Sequence, residues 1–501
     1  MRRSVAPAWV DTRVGRNVAY GLVAVLLAVL GVHAATAMSR PFGDSHDGVN
    51  GAVWGFGSRA LRTDGVVWSR MGTRRRTPDG VSTYADHPPL LVVEAASGEE
   101  VFGEHPWSTR LPAIVATALA LIGAVALLRA LGLGWPAAVG GVALGFGVPM
   151  VGVYGTMLDT PIVGLAPAVI LLALDARARN GLRAPPVAVA IAAIVCVLSS
   201  WQGVVLAGLL AAAAALRILR KRPGPHDRAL VIGGAAGVAL LGAWLWWAFG
   251  SWGPLHAQLT VRSGFGSQPR SLGDVAHALR DDARRLFPVW VAVLGLVAFV
   301  VGFRDVRTRI ALGVSLATVA LWVFGFRDGA ARHDYWPYWV VLPLAIGFGA
   351  VLETALSGAA RPLPPSAAWG IAVAAVVLGA VGITQSVPAG RAQAEGAEVG
   401  RLLLRARWPS VQHDLWLIGA EHVAHDWAPY DSGRRTVNLR DPAAIRSLGE
   451  ARPSDLVLFV PGAPAVAGQP CSTKLRRGAR YALLSAAETA KALDGGVIRP
   501  C

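Results

Sequence analysis

The sequence predicts an all-α polytopic membrane protein of about eleven transmembrane helices, with a long first loop and a small C-terminal α/β domain outside the bilayer. Three observations carry that prediction. Of 501 residues, 54% are hydrophobic and only 16% charged, and the mean hydropathy is +0.48, which excludes an ordinary soluble globular chain. The apolar residues arrive in charge-free blocks of about 18 to 22, the length of helix that crosses a bilayer core. Lipid admits only segments that satisfy their own backbone hydrogen bonds, so repeated blocks of this kind fold as helices.

Taken in order, the chain opens with Arg2, Arg3, Arg13 and Arg16 ahead of an apolar run from about Val18 to Ala37. Ala35-Thr36-Ala37 resembles a signal-peptidase site, but the run is long for a leader and reads as an uncleaved anchor. Further apolar runs follow at about 109–129, 135–154, 160–175, 186–200, 202–219, 229–249, 286–303, 308–325, 335–353 and 367–386. Between the first two runs lies a long polar stretch from Met38 to Arg110. It carries Asp44, His46 and Asp47, an apolar-periodic piece from Asn50 to Leu61, and then His87-Pro88-Pro89-Leu90. It closes on Arg110-Leu111-Pro112. A first loop so rich in carboxylates, imidazoles and arginines is where a membrane protein keeps its chemistry.

With the N-terminus inside, the basic segments Asp175–Arg179 and Arg217–Arg222 fall on the cytoplasmic side, as the positive-inside rule requires. The same assignment, made without reference to them, puts Asp44, Asp47, His87, Asp159, Arg332, His333 and Asp334 outside. From Val387 the character changes. Ala394–Trp408 reads as an amphipathic helix, Asp414–Ile418 and Leu456–Val460 as short buried strands, and the segments between as loops. The chain is thus expected to divide into a membrane domain, 1–386, and an extracytoplasmic domain, 387–501. Cys196 lies inside an apolar run and reads as packing, whereas Cys471 and Cys501 could pair if the tail is extracytoplasmic. The formal charge of +16 comes mostly from arginines beside apolar runs, with no basic tract interleaved with aromatics, so the bilayer is the expected partner and nucleic acid is not.

Read together, the outer residues resemble a known family. An acid early in a long first loop, then His87-Pro88-Pro89-Leu90, then Arg110-Leu111-Pro112 opening the second helix, resembles the glycosyltransferase-C (GT-C) superfamily. The branch most similar is the family 39-like enzymes, the protein mannosyltransferases and bacterial lipid A aminoarabinose transferases. Leu158-Asp159-Thr160-Pro161 resembles their second acidic element, and His333-Asp334-Tyr335-Trp336-Pro337 their His/Arg-Tyr-x-x-Pro element. The resemblance covers roughly residues 15–350, and the ordered co-occurrence is more specific than any one motif. It implies an integral-membrane enzyme that moves a sugar, with inversion, from a polyprenyl-phosphate-linked donor to an acceptor at the extracytoplasmic face. The acceptor stays open among lipid, glycan and protein. Two departures stand out: the family's adjacent acids are His46-Asp47 here, and His87 stands where some members carry Lys or Glu.

Displacing a polyprenyl phosphate from an anomeric carbon needs a base for the acceptor hydroxyl and cationic or donor groups for the departing phosphate. Phosphate leaves readily, so one carboxylate facing the acceptor suffices, unlike the carboxylate pair of glycoside hydrolysis. The expected base is Asp47, with Asp44 its rival; otherwise Asp47 caps the helix that follows. His46, His87, Asp159, Arg110, Arg332, His333 and Tyr335 are the expected substrate-binding set. Three of the positions also have a structural alternative: a turn histidine packed on Trp107 for His87, a helix cap for Asp159, and an interfacial snorkelling position for Arg332 beside the Tyr335–Trp339 aromatic belt. Asp44, Asp47, His87 and Asp159 are hard or borderline ligands for a divalent cation, although no spacing enforces one. Two other classes compete: a polytopic transporter or flippase, and an inactive homologue that scaffolds the envelope. Transporters place ionisable residues near the midplane, whereas here they collect at one face. Arg74-Arg75-Arg76 reads as a solvated or headgroup-facing run.

Overall fold

The computed structural model describes residues 13–38, 40–42, 45–77, 80–84, 87–266, 269–357 and 363–385, and four strands beyond them. Two compact units emerge. The first comprises Met1–Ala37, Ala85–Leu91 and Arg110–Val387; the second comprises Met38–Tyr84, Val92–Thr109 and Pro388–Cys501.

In the first unit every apolar run is helical, and seven helices among the described residues are long and apolar enough to cross a membrane. They are Arg13–Met38, Pro106–Ala130, Thr160–Arg179, Trp201–Leu219, Asp227–Phe249, Trp336–Ser357 and Pro365–Thr384. An eighth span arises if Leu272–Leu286 and Val289–Arg304, bent by 104°, count as one. The remaining apolar helices, Trp135–Phe146, Pro186–Ser199 and Arg309–Gly325, are shorter. Length alone therefore supports seven or eight spans, where the apolar runs suggest about eleven.

The breaks have local causes. The run 135–154 divides at Gly147-Val148 because Pro149 forces Val148 out of the helical region (φ −129°, ψ 154°). Ser200 is extended and caps the next helix, accepting from the Gly203 amide at 2.9 Å. Pro288 ends the helix Leu272–Leu286 at the residue before Phe287, and the chain turns there.

Trp135–Phe146 packs against Val341–Ser357 and Pro365–Thr384 at backbone contact. A Cβ on Gly141 would stand 2.6 Å from Gly349 Cα, and one on Gly147 would stand 2.1 Å from Gly379 Cα. Within lipid, where apolar burial gives no advantage over the tails, such close approach by small residues is what holds helices together. Two ion pairs and a hydrogen bond tie the loops: Arg307 Nη2 to Asp305 at 2.7 Å, Arg307 Nη1 to Glu353 at 3.5 Å, and the Gly134 amide donating to Glu353 at 2.8 Å. Arg217 grips Asp227 in the same manner (Nη2 to Oδ1, 2.6 Å), closing the turn between two spans.

The second unit begins with the helix His46–Ser69 and the antiparallel hairpin Arg74–Thr77/Gly80–Thr83. Glu99, on the helix Leu90–Phe102, is 1% exposed and accepts from Ser58 Oγ at 2.5 Å and Thr109 Oγ1 at 2.6 Å. Arg62 bridges Glu99 (3.2 Å) to Glu104 (3.0 Å). Burial raises the Glu99 pKa, and those two hydroxyl donors offset part of the rise. Farther along, Asp414–Ile418 lies between Arg435–Leu439 and Leu456–Phe459, parallel to both, with Ala482–Ser485 antiparallel at the edge. The strand 435–439 falls where the sequence reads as loop, and 482–485 lies beyond the last strand that the sequence predicts. Short alternating segments owe their extended form to pairing partners far along the chain. The expected helix Ala394–Trp408 and the pair Cys471/Cys501 lie outside the described residues.

Candidate functional site

The first unit gathers residues from four separate stretches. Pro88 and Pro89, both buried, fix an extended corner that presents His87. The His87 imidazole Nδ1 shares a hydrogen bond with Thr160 Oγ1 at 3.3 Å. Thr160 opens the short helix Thr160–Val163, which Asp159 caps: the Thr160 amide donates to Asp159 Oδ1 at 2.6 Å. The same carboxylate accepts from the Tyr335 hydroxyl. Beside them Arg262 Nη1 lies 3.2 Å from His333 Nε2, and both groups rest on the Trp336 ring, each 5.4 Å from its centroid.

Burial sets the electrostatics here. Asp159 is 2% exposed, and desolvation pushes its pKa from 3.8 to about 6 despite the Thr160 and Tyr335 hydrogen bonds and the Arg262 charge. Burial, then the charges of Arg262 and His333, hold the His87 imidazole well below its ordinary 6.5. His87 is therefore neutral at pH 7, a hydrogen-bonding group and not a fixed cation. The fixed cation of this cluster is Arg262.

Adjoining the cluster is an apolar cavity of about 750 Å³ lined by the helices Leu272–Leu286, Val289–Arg304 and Arg309–Gly325. Its charged lining is limited to Arg280, Asp282, Arg284 and Asp334. Arg285 joins Asp334 to Asp282, lying 3.1 Å from the latter, and Tyr154 hydrogen-bonds to Asp334. The Tyr154 and Tyr335 rings are 5.7 Å apart. Two neighbours in the chain thus serve both features: Asp334 lines the cavity while Tyr335 holds Asp159. Phe324 and Leu296, on the cavity wall, are 71% and 68% exposed, as an opening to lipid requires.

Of the expected residues, the structure brings together His87, Asp159, His333 and Tyr335. Arg332 does not join them; it is exposed at the end of the helix Arg327–Arg332. Arg110 is buried in the second turn of the helix Pro106–Ala130. His46 and Asp47 are half-buried in the first turn of the second unit's helix His46–Ser69. The cap of that helix is Ser45 and not Asp47: Ser45 Oγ accepts from the Gly48 amide at 3.1 Å. Asp44 lies outside the described residues. Asp159 is both cap and site member. Arg262, Tyr154 and Arg285 escape a sequence reading because no local motif marks them, and Thr160 enters it only as part of Leu158-Asp159-Thr160-Pro161. Among the described residues no three His, Cys, Asp or Glu side chains form a group that could hold a metal ion.

No family model and no curated protein sequence matches the chain. Solved structures do. ArnT from Cupriavidus metallidurans in the apo state superposes with a TM-score of 0.61 at 14% identity, over 94% of this chain and 99% of that one. The same protein bound to undecaprenyl phosphate gives 0.61 at 15%, over 88% and 93%. The archaeal oligosaccharyltransferase AglB from Archaeoglobus fulgidus, in complex with an inhibitory peptide and a dolichol-phosphate, gives 0.52 at 13%, over 87% and 69%. At identities that speak for fold alone, this chain is a multi-pass membrane protein that shares the fold of these solved structures.

Proposed function

We propose that this chain is an integral-membrane glycosyltransferase that moves a sugar from a polyprenyl-phosphate-linked donor to an acceptor at the extracytoplasmic face, with inversion. The observation that carries the reading is the union of a buried cationic and hydrogen-bonding cluster with an apolar cavity, joined through Asp334 and Tyr335, within a GT-C fold. The solved relatives with undecaprenyl phosphate and dolichol-phosphate bound support a lipid-phosphate donor.

In this reading the cavity takes the part of the isoprenoid next to the phosphate, and Arg262 with His333 stabilises the departing phosphate by charge-assisted hydrogen bonds. Thr160, His87, Asp159 and Tyr335 form the hydrogen-bonding wall that orients the sugar phosphate. Asp47 acts as base, with Asp44 as the alternative in the same loop. The acceptor oxygen bonds to the anomeric carbon as the bond from that carbon to the phosphate oxygen breaks. The hydroxyl proton passes to the carboxylate, and polyprenyl phosphate leaves. The membrane is the plasma (inner) membrane, the first loop faces outward, and residues 387–501 form a soluble α/β domain on that side.

The test supplies radiolabelled polyprenyl-phosphate sugars to membranes containing the wild-type chain or Asp47→Asn. Loss of a general base lowers transfer by about 100-fold or more. Transfer unchanged by the substitution removes Asp47 as base, and no transfer from any donor by the wild type overturns the reading itself.

A further inference from the structure

The arginine run Arg74-Arg75-Arg76 takes no part in the proposed reaction, yet the second unit builds it into a defined surface. Strand alternation splits the run. Arg75 turns inward, donating to the Val53 carbonyl at 2.9 Å and to Ser82 Oγ at 3.0 Å. Arg74 and Arg76 close instead on the Trp68 ring, at 4.8 and 4.1 Å from its centroid, and Arg76 also reaches Asp64 at 3.2 Å. Next to Trp68, Val66 and Val67 are 54% and 79% exposed, and Val81, the cross-strand partner of Arg76, is 55% exposed.

The backbone holds this tip in an uncommon shape. Gly65 (φ 77°) interrupts the helix His46–Ser69 one turn before its end. Arg70, Met71 and Gly72 then follow at φ 50°, 57° and 81°, three successive left-handed residues of which two carry side chains. That conformation is unfavourable for L residues and persists where the surroundings hold it in place. Its effect here is to leave the two valines standing out beside the arginine-clad tryptophan.

We propose that this tip contacts the membrane: Val66, Val67 and Trp68 enter the headgroup region, and Arg74 and Arg76 pair with the phosphates of anionic phospholipids. Tryptophan with flanking arginines and a few aliphatic side chains is the composition that settles at a lipid–water boundary. Arginine selects anionic headgroups. The bilayer is within reach, since the segment Met38–Tyr84 is tethered at both ends: Met38 ends the first span, and Ala85–Leu91 belongs to the membrane unit. A protein partner fits less well, because a stable interface buries about 800 Å² on each side and the tip offers only a few apolar side chains.

The test uses the full chain with Cys471 and Cys501 replaced by serine, which leaves the buried Cys196. Val67→Cys carries an environment-sensitive fluorophore, and the protein is reconstituted into phosphatidylcholine vesicles with or without phosphatidylglycerol. In vesicles containing phosphatidylglycerol the label shifts to the blue and is quenched by a lipid nitroxide placed near the headgroup. The same label at Glu100, exposed on the helix Leu90–Phe102, is not quenched. Arg74→Gln and Arg76→Gln each weaken lipid association of the tip about fivefold. Raising the salt to about 1 M, where the Debye length falls to about 3 Å, has the same effect without a mutation. A label that stays in water in both vesicle types overturns the proposal, as does equal quenching in neutral vesicles. A response only to a soluble polyanion also overturns it and assigns the tip to a charged polymer.

Discussion

Asp159→Asn separates two roles of one carboxylate. In the native protein Asp159 is 2% exposed and its pKa is raised from 3.8 to about 6, chiefly by desolvation. A rise of that size corresponds to about 3 kcal/mol spent on keeping the ionised carboxylate buried at neutral pH. The sign follows from linkage: with the folded-state pKa raised, the native state holds the proton more tightly than the unfolded chain. The group's contribution is most favourable below about pH 3.8, is lost as the pH rises to about 6, and is constant above that. Asparagine is neutral at every pH, and its Oδ1 still accepts from the Thr160 amide and the Tyr335 hydroxyl. Asp159→Asn is therefore expected to be more stable than wild type at pH 8, by up to about 3 kcal/mol, and equal to it near pH 4. The assay is thermal unfolding in nanodiscs across that pH range, read by tryptophan fluorescence. Transfer activity should fall in the same variant, since the site gives up its carboxylate for stability. A variant that is less stable at pH 8 refutes the reasoning, because it means that the Arg262 charge outweighs burial.

Two further substitutions probe neighbouring links. Tyr335→Phe removes a hydroxyl donor from Asp159, so the Asp159 pKa climbs above about 6 and the pH at which stability is lost moves upward. The cost at pH 8 is about 1.5–3 kcal/mol, the worth of a hydrogen bond to a charged group, and is smaller at pH 4, as thermal unfolding across pH would record. Ser45→Ala removes the cap of the helix that carries His46 and Asp47. It costs about 1 kcal/mol and raises amide hydrogen exchange over residues 46–50, with transfer reduced while donor binding is kept; unchanged exchange there would mean that the cap does not order the turn.

Local chemistry made some of the site readable. His87 is marked by two following prolines, Asp159 by a helix start ahead of Pro161, and Tyr335 by the aromatic string up to Trp339, and the structure brings all three together with His333. Arg332 was a misleading neighbour. The short helix Arg327–Arg332 ends at Arg332, and the chain turns extended at His333 (φ −123°, ψ 93°), which leaves Arg332 exposed while His333 stacks on Trp336. Arg262 was invisible because its partner His333 lies 71 residues away.

The sequence by itself determined that this chain lives in a bilayer and which stretches of it are apolar helix. Those properties depend on composition and on periodicity within one segment, and hydrocarbon enforces them segment by segment. Tertiary structure alone decided which small residues meet at backbone distance, and that Arg262 is the fixed cation of the cluster while His87 is neutral. These depend on distance and desolvation between residues far apart in the chain, quantities that exist only once the helices have packed.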